Sequence, residues 1–226
     1  DFTVTFVDLE PVDLTDMLVV TINGSANTDT IALDNGTSIA GEDAIQVSGT
    51  VDGFTMETAF VRDAGTLNIL TAAGDDTLTI NGATNAHNVT NLTLNTGTDT
   101  NSIAVAGSAT VTGTMILTTT GSIADSGAGG TLSADSLKLD SGTGVGTSGN
   151  VIDTAVTTLS AQASTSGGVF VTETDGLTIG TVDSFSGLTA TDGEVFLALT
   201  NGTLTVNEQI SATGAAYMVW RRNHDI

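Results

Sequence analysis

A recurrence constrains this chain more than any other feature. Within residues 74–107, short β-prone runs at 77–80, 91–94 and 102–105 alternate with clusters of Gly, Asn and Asp, and the same arrangement returns before and after. Branched and apolar residues spaced two apart suit a half-buried pleated surface, while Gly, Asn and Asp tolerate the left-handed backbone of tight corners. Self-similarity of this kind is the mark of a solenoid, in which each repeat buries its apolar face on the next.

Taken in order, residues 1–14 alternate Phe2, Val4 and Phe6 with Thr and then meet Pro11, the one proline. Regular runs follow at 17–22, 30–33 and 44–47, each closed by a turn containing Asn, Asp or Gly. The least regular part, 51–68, holds Phe54, Met56, Phe60 and Arg62 and is expected to be strand. The same grammar continues through 109–111, 114–118, 136–139, 156–159, 169–171, 177–179, 195–199 and 204–206. The glycine-rich 142–149 does not break it. No stretch of ten or more residues carries helical apolar spacing, so the chain is expected to be all-β.

The expected architecture is one right-handed parallel β-helix over 1–214. At about 20 to 25 residues per turn it would have roughly 9 to 11 coils and a length of about 45 to 50 Å. A β-sandwich is the alternative that turn spacing alone would also allow. Residues 215–226, with the phrase YMVWRRNHDI, leave the repeat and form a tail.

Composition narrows the role. Four basic residues face 26 acidic ones, a formal net charge of −22, which disfavours nucleic acid and anionic membrane surfaces as partners. There is no cysteine, and a stack of coils does not need disulfides to be stable. No apolar run approaches the length of a membrane span.

The phrases GDDTLTINGATN at 74–85, NLTLNTGTDTNSIAVAGSATVTG at 91–113, GNVIDTAVTTLSAQASTSGGVFVTETDGLTIGTV at 149–182 and NGTLTVNEQISATGA at 201–215 resemble bacterial β-strand-repeat surface proteins of the filamentous-haemagglutinin type. The resemblance covers roughly the last two thirds of the chain. It implies a secreted, extracellular or cell-surface protein whose work is attachment, cohesion or the building of a fibre or sheath, and it implies no enzyme. The tail departs from it.

Gly74-Asp75-Asp76-Thr77-Leu78 is similar to half of a calcium-binding glycine-rich nonapeptide, which makes Asp75, Asp76 and Asp99 the candidate calcium ligands. The double-glycine motif is absent, and solvated turn carboxylates are the competing explanation. No cofactor is required. Adjacent acids such as Asp75 with Asp76, or Glu42 with Asp43, make poor catalytic pairs, because neighbours on a strand point to opposite faces. Arg62 and Lys138 stand alone. His87, between Asn85 and Asn88, is expected to be a solvated turn residue.

Tyr217 and Trp220 are the only Tyr and Trp, and Arg221 with Arg222 are half the basic residues. They serve either as a cap on the last coil or as a subunit contact against the acidic body of another copy. The expected function is therefore an extracellular structural rod that self-associates end to end into a cell-surface fibre, sheath or matrix. An adhesin or carbohydrate-binding module, meeting a cell-surface glycan or host surface, is the alternative. A polysaccharide-degrading β-helix enzyme comes third.

Overall fold

The computed structural model describes residues 11–127 and 129–213, together with the backbone of 218–222. The expected strand around Phe2, Val4 and Phe6 lies outside the described residues.

The chain winds as a β-solenoid of about six turns, with no helix among the described residues. An opening partial turn holds β1 (Val12–Thr15), β2 (Val19–Asn23) and β3 (Thr30–Thr37), after which β4 (Asp43–Val51) and β5 (Phe54–Thr55) fold back as a hairpin. The first full turn holds β6 (Ala59–Arg62), β7 (Thr66–Leu70) and β8 (Thr77–Ile80). The second holds β9 (Asn91–Asn95), β10 (Ser102–Val105) and β11 (Ala109–Thr110). In the third, β12 (Thr114–Thr119) and β13 (Ser122–Asp125) lead into β14 (Thr131–Ser141), which rounds a corner. The fourth continues through β15 (Gly144–Val145) into β16 (Ile152–Ala163). The fifth adds β17 (Val169–Glu173) and β18 (Leu177–Ile179), followed by a side hairpin of β19 (Thr181–Val182) and β20 (Phe185–Ser186). The sixth holds β21 (Leu188–Ala190), β22 (Val195–Leu199) and β23 (Leu204–Val206), and β24 (Ile210–Ala212) with β25 (Met218–Arg222) closes the stack.

Two long parallel ladders run the length of the molecule. Face A is β2–β7–β9–β12–β14–β16–β21–β24. Face B is β3–β8–β10–β13–β15–β17–β22–β25. A third, less regular side includes β1–β6 and the β11–β14–β16 ladder, while β18–β23 continues the face A row from Leu159. Parallel pairing throughout these ladders rules out the β-sandwich, whose sheets are antiparallel.

Strand alternation sends every second residue inward, and parallel register stacks like on like. On face A the inward row is Val20, Leu67, Leu92, Met115, Leu137 and Leu159, all buried. On face B it is Ile31, Leu78, Ile103, Ile123, Val145, Val169 and Val195, likewise buried. Medium aliphatic side chains fill this narrow interior, which is why the chain needs so few aromatics.

Corners explain part of the acidity. Asp16, Asp52, Asp63, Asp99, Asp183 and Asp192 all hold positive φ, a conformation that Asp and Asn adopt more readily than other side chains. Gly97 goes further: at φ +68° its missing Cβ would stand 1.9 Å from the Ala72 carbonyl oxygen, so only glycine fits between these rungs.

The expected 9 to 11 coils are too many. From the opening turn to the next, register advances 47 residues, against 25, 23 and 22 at later steps. Two hairpins consume chain without adding a full turn. In the tail, the backbone of Met218–Arg222 continues face B in parallel with β22.

Candidate functional site

An open groove of about 830 Å³ lies at the corners between faces A and B, lined by Asn27, Thr28, Asp52, Gly74, Asp75 and Asp99 among others. Its carboxylates are engaged with neighbouring rungs. Asp75 Oδ1 accepts from the Thr100 N–H at 3.2 Å, Asp99 Oδ2 from the Gly74 N–H at 3.1 Å, and Asp52 Oδ1 from Asn27 Nδ2 at 2.7 Å. Asp75 and Asp99 thus share one groove. Asp76 does not join them: it is 1% exposed and faces the interior, as strand alternation demands of the residue after an exposed one. Among the described residues no group of three or more His, Cys, Asp or Glu is arranged to hold a metal ion.

Beneath the groove runs a buried polar column that sequence reading did not pick out. The Asp29 N–H donates to Asp76 Oδ1 at 2.8 Å, and the Asp76 N–H donates to Asn101 Oδ1 at 2.7 Å. Asp29 itself accepts from the Ser25 N–H and hydroxyl and from the Asp52 N–H. Asn101 Nδ2 donates to the carbonyls of Thr96 and Thr98. Each member gives the corner's main-chain donors an acceptor where water does not reach. The signal was present as a phrase, an Asp or Asn, then Thr or Ser, then Ile or Leu, at 29–31, 76–78 and 101–103. Its spacing of 47 and then 25 residues hid the repeat.

Three other titratable groups are set by the fold. Glu173 is fully buried. It accepts from Thr154 Oγ1 at 2.7 Å and from the N–H groups of Val156, Thr174 and Asp175 at 3.2, 2.9 and 3.2 Å. His87 is buried rather than solvated, a correction to the expectation. Its Nδ1 accepts from the Val89 N–H at 2.9 Å and its Nε2 lies 3.3 Å from the Ala83 carbonyl, so the ring ties a wide corner in place of missing backbone bonds. Burial, the largest influence, holds its pKa below the ordinary value, against upward pulls from the Ala83 and Thr110 main chain. Asp153 is pushed up, first by desolvation and then by the neighbouring Asp125 charge.

The two cations with described side chains are tied up in structure. Arg62 pairs with Glu42 and Asp63 at 3.4 and 2.9 Å. Lys138 pairs with Asp140 and Asp183 at 3.7 and 3.4 Å, the latter anchoring the side hairpin. Neither adjoins the Asp125–Asp153 pair in these contacts. On the outside of face B, Phe170 and Phe196 stack on successive rungs with centroids 6.4 Å apart, an aromatic pair that the sequence pattern did not flag.

Of the tail residues, Tyr217 lies outside the described residues. The backbone places Trp220, Arg221 and Arg222 on β25, in register with Leu197, Ala198 and Leu199.

No protein-family model matches the chain, and no curated protein or solved structure matches it significantly.

Proposed function

We propose that the protein is an extracellular structural rod: a rigid, right-handed β-solenoid that forms or decorates a cell-surface fibre, sheath or matrix, with copies meeting end to end. The observation that carries this reading is where apolar surface remains. Among the described residues, the exposed large hydrophobics are Met17, Leu18, Val19, Ile39 and Phe54 in the opening turn and its hairpin, and Val206 in the sixth turn. The turns between have none. A body of ladders whose most exposed large hydrophobics, among the described residues, lie near its two ends suits axial contacts and a largely polar flank. The acidic flank would keep rods from packing side by side, and Trp220, Arg221 and Arg222 on the last rung supply the residue types that favour an interface.

Sedimentation velocity over a range of concentrations tests the association. The full chain should shift to faster species as concentration rises, and a variant ending at Thr213 should shift less. Concentration-independent monomers for both would overturn the reading.

The Phe170–Phe196 stack supports a second reading, a surface module that holds a glycan ring against an aromatic platform. Loss of glycan-array binding in Phe196→Ala would support it. An array on which the native protein binds nothing would remove it. Calcium held by Asp75 and Asp99 at the groove is a further proposal, checked by isothermal titration of the native chain against Asp99→Asn.

A further inference from the structure

The main sheet is parallel everywhere except around one insertion. β4 runs antiparallel to β3, to β5 and to β6. Along β3, Thr30, Ile31, Ala32 and Leu33 pair with β8 on one side and with β4 on the other. β4 therefore holds the rung of face B that a continuing parallel ladder would need.

The insertion is packed and pinned. Ala44, Ile45 and Val47 are fully buried. At the β3–β4 tip, the Asp13 carboxylate accepts from the Ile39 and Ala40 N–H groups at 2.9 and 3.2 Å. At the β4–β5 turn, Asp29 Oδ1 accepts from the Asp52 N–H at 3.0 Å. Its length is also informative. Val12 pairs with Ala59, and removing 37–57 would leave an opening turn of about 26 residues, close to the 25 between Thr66 and Asn91, which pair at the next turn. The hairpin is thus an addition to a turn that would otherwise be regular.

An open parallel edge is a template for another chain, and natural sheets cover or break such edges. At the other end, β23, β24 and β25 pair only with β18, β21 and β22 among the described residues. Val206 is 53% exposed there, in the inward row of Leu159 and Ile179.

We infer that the β4–β5 hairpin is a plug that prevents the β-ladder of one copy from continuing into the last rung of a second copy. Joints between copies are then reversible side-chain contacts instead of a shared sheet. The inference rests on the proposed end-to-end association only for the identity of the excluded occupant.

The test compares the full chain with a variant lacking 37–57, by electron microscopy and by light scattering before and after tenfold dilution. The full chain should give short assemblies that fall apart on dilution. The deletion, with β-type circular dichroism and a cooperative melt, should give long filaments that survive dilution. If the deletion does not fold, Gly49→Val takes its place. A Cβ at Gly49 would stand 2.0 Å from the Thr30 carbonyl oxygen, so it pries β4 from β3 without shortening the chain. A folded variant with the native size distribution overturns the plug, as do dilution-resistant filaments from the full chain. A monomeric full chain with a polymerising deletion keeps the plug and removes the self-association role. Reversible association unchanged by deletion does the reverse.

Discussion

The main-chain N–H of Asp29 donates to the carboxylate of Asp76 at 2.8 Å, across 47 residues of chain and one rung of the stack. The bond shows how this solenoid uses acid inside as well as outside. A buried carboxylate fixes the height of one corner against the next, and Asn101 repeats the arrangement one turn on.

Asp76 nevertheless carries more charge than its place uses, because its Oδ2 is buried with no partner. Asn101, with its amide donating to two carbonyls, fills the equivalent place in the next rung. Asp76→Asn keeps the acceptor for Asp29 and exchanges the unpartnered oxygen for a donor. It should stabilise the protein by about 1–2 kcal/mol, read as a melting temperature raised by several degrees. A lower melting temperature would contradict the role given to this column.

Glu173 is the opposite case, a buried carboxylate with one hydroxyl and three main-chain donors around it. Glu173→Ala would take this acceptor from the Val156 and Asp175 N–H groups, while the Thr174 N–H and the Thr154 hydroxyl keep the Thr154 and Thr172 carbonyls, and should cost about 2–4 kcal/mol. Glu173→Gln, which retains one oxygen, should cost clearly less. Urea denaturation of the two variants measures the difference, and equal losses would mean that packing, not hydrogen bonding, holds this corner.

His87 predicts a pH dependence. Its folded pKa lies below the unfolded value of 6.5, so the unfolded chain takes up the proton first as pH falls. The stability it contributes is present above about pH 6.5 and declines below that toward the folded pKa. His87→Asn should flatten the decline in urea midpoint between pH 7 and pH 5, and an unchanged slope would remove the buried neutral ring from the account.

Asp153 should act with the other sign. Its folded pKa lies above the ordinary 3.8, so the ionised form is penalised in the fold. Asp153→Asn should be more stable than the native chain at pH 7, and the advantage should shrink as pH falls through the folded pKa toward 3.8. A constant difference down to pH 3 would point to a packing effect instead.

Much of the fold was legible because burial here is a matter of alternation. In the run 77–80, Leu78 and Ile80 go inward and Thr77 and Thr79 outward, which the residue types state directly. The β4 insertion was not legible, since Ala44, Ile45 and Val47 look like any other rung and nothing local marks the reversal of direction. The coil count failed with it. Asp75 and Asp99 could be placed at corners from their Gly neighbours. The inward turn of Asp76 followed from alternation, but its partnership with Asp29 depended on the unseen 47-residue step. His87 misled because a polar residue among Asn reads as solvent-facing until the corner it closes is seen.

Electron microscopy of the 226-residue chain across a hundredfold concentration range tests the central claim most directly. Eight rungs at about 4.8 Å give a stack of roughly 35–40 Å per copy. The account predicts rods of that length that join end to end, in multiples of it, as concentration rises. Particles that stay one copy long at every concentration, or that associate only side by side, would contradict it.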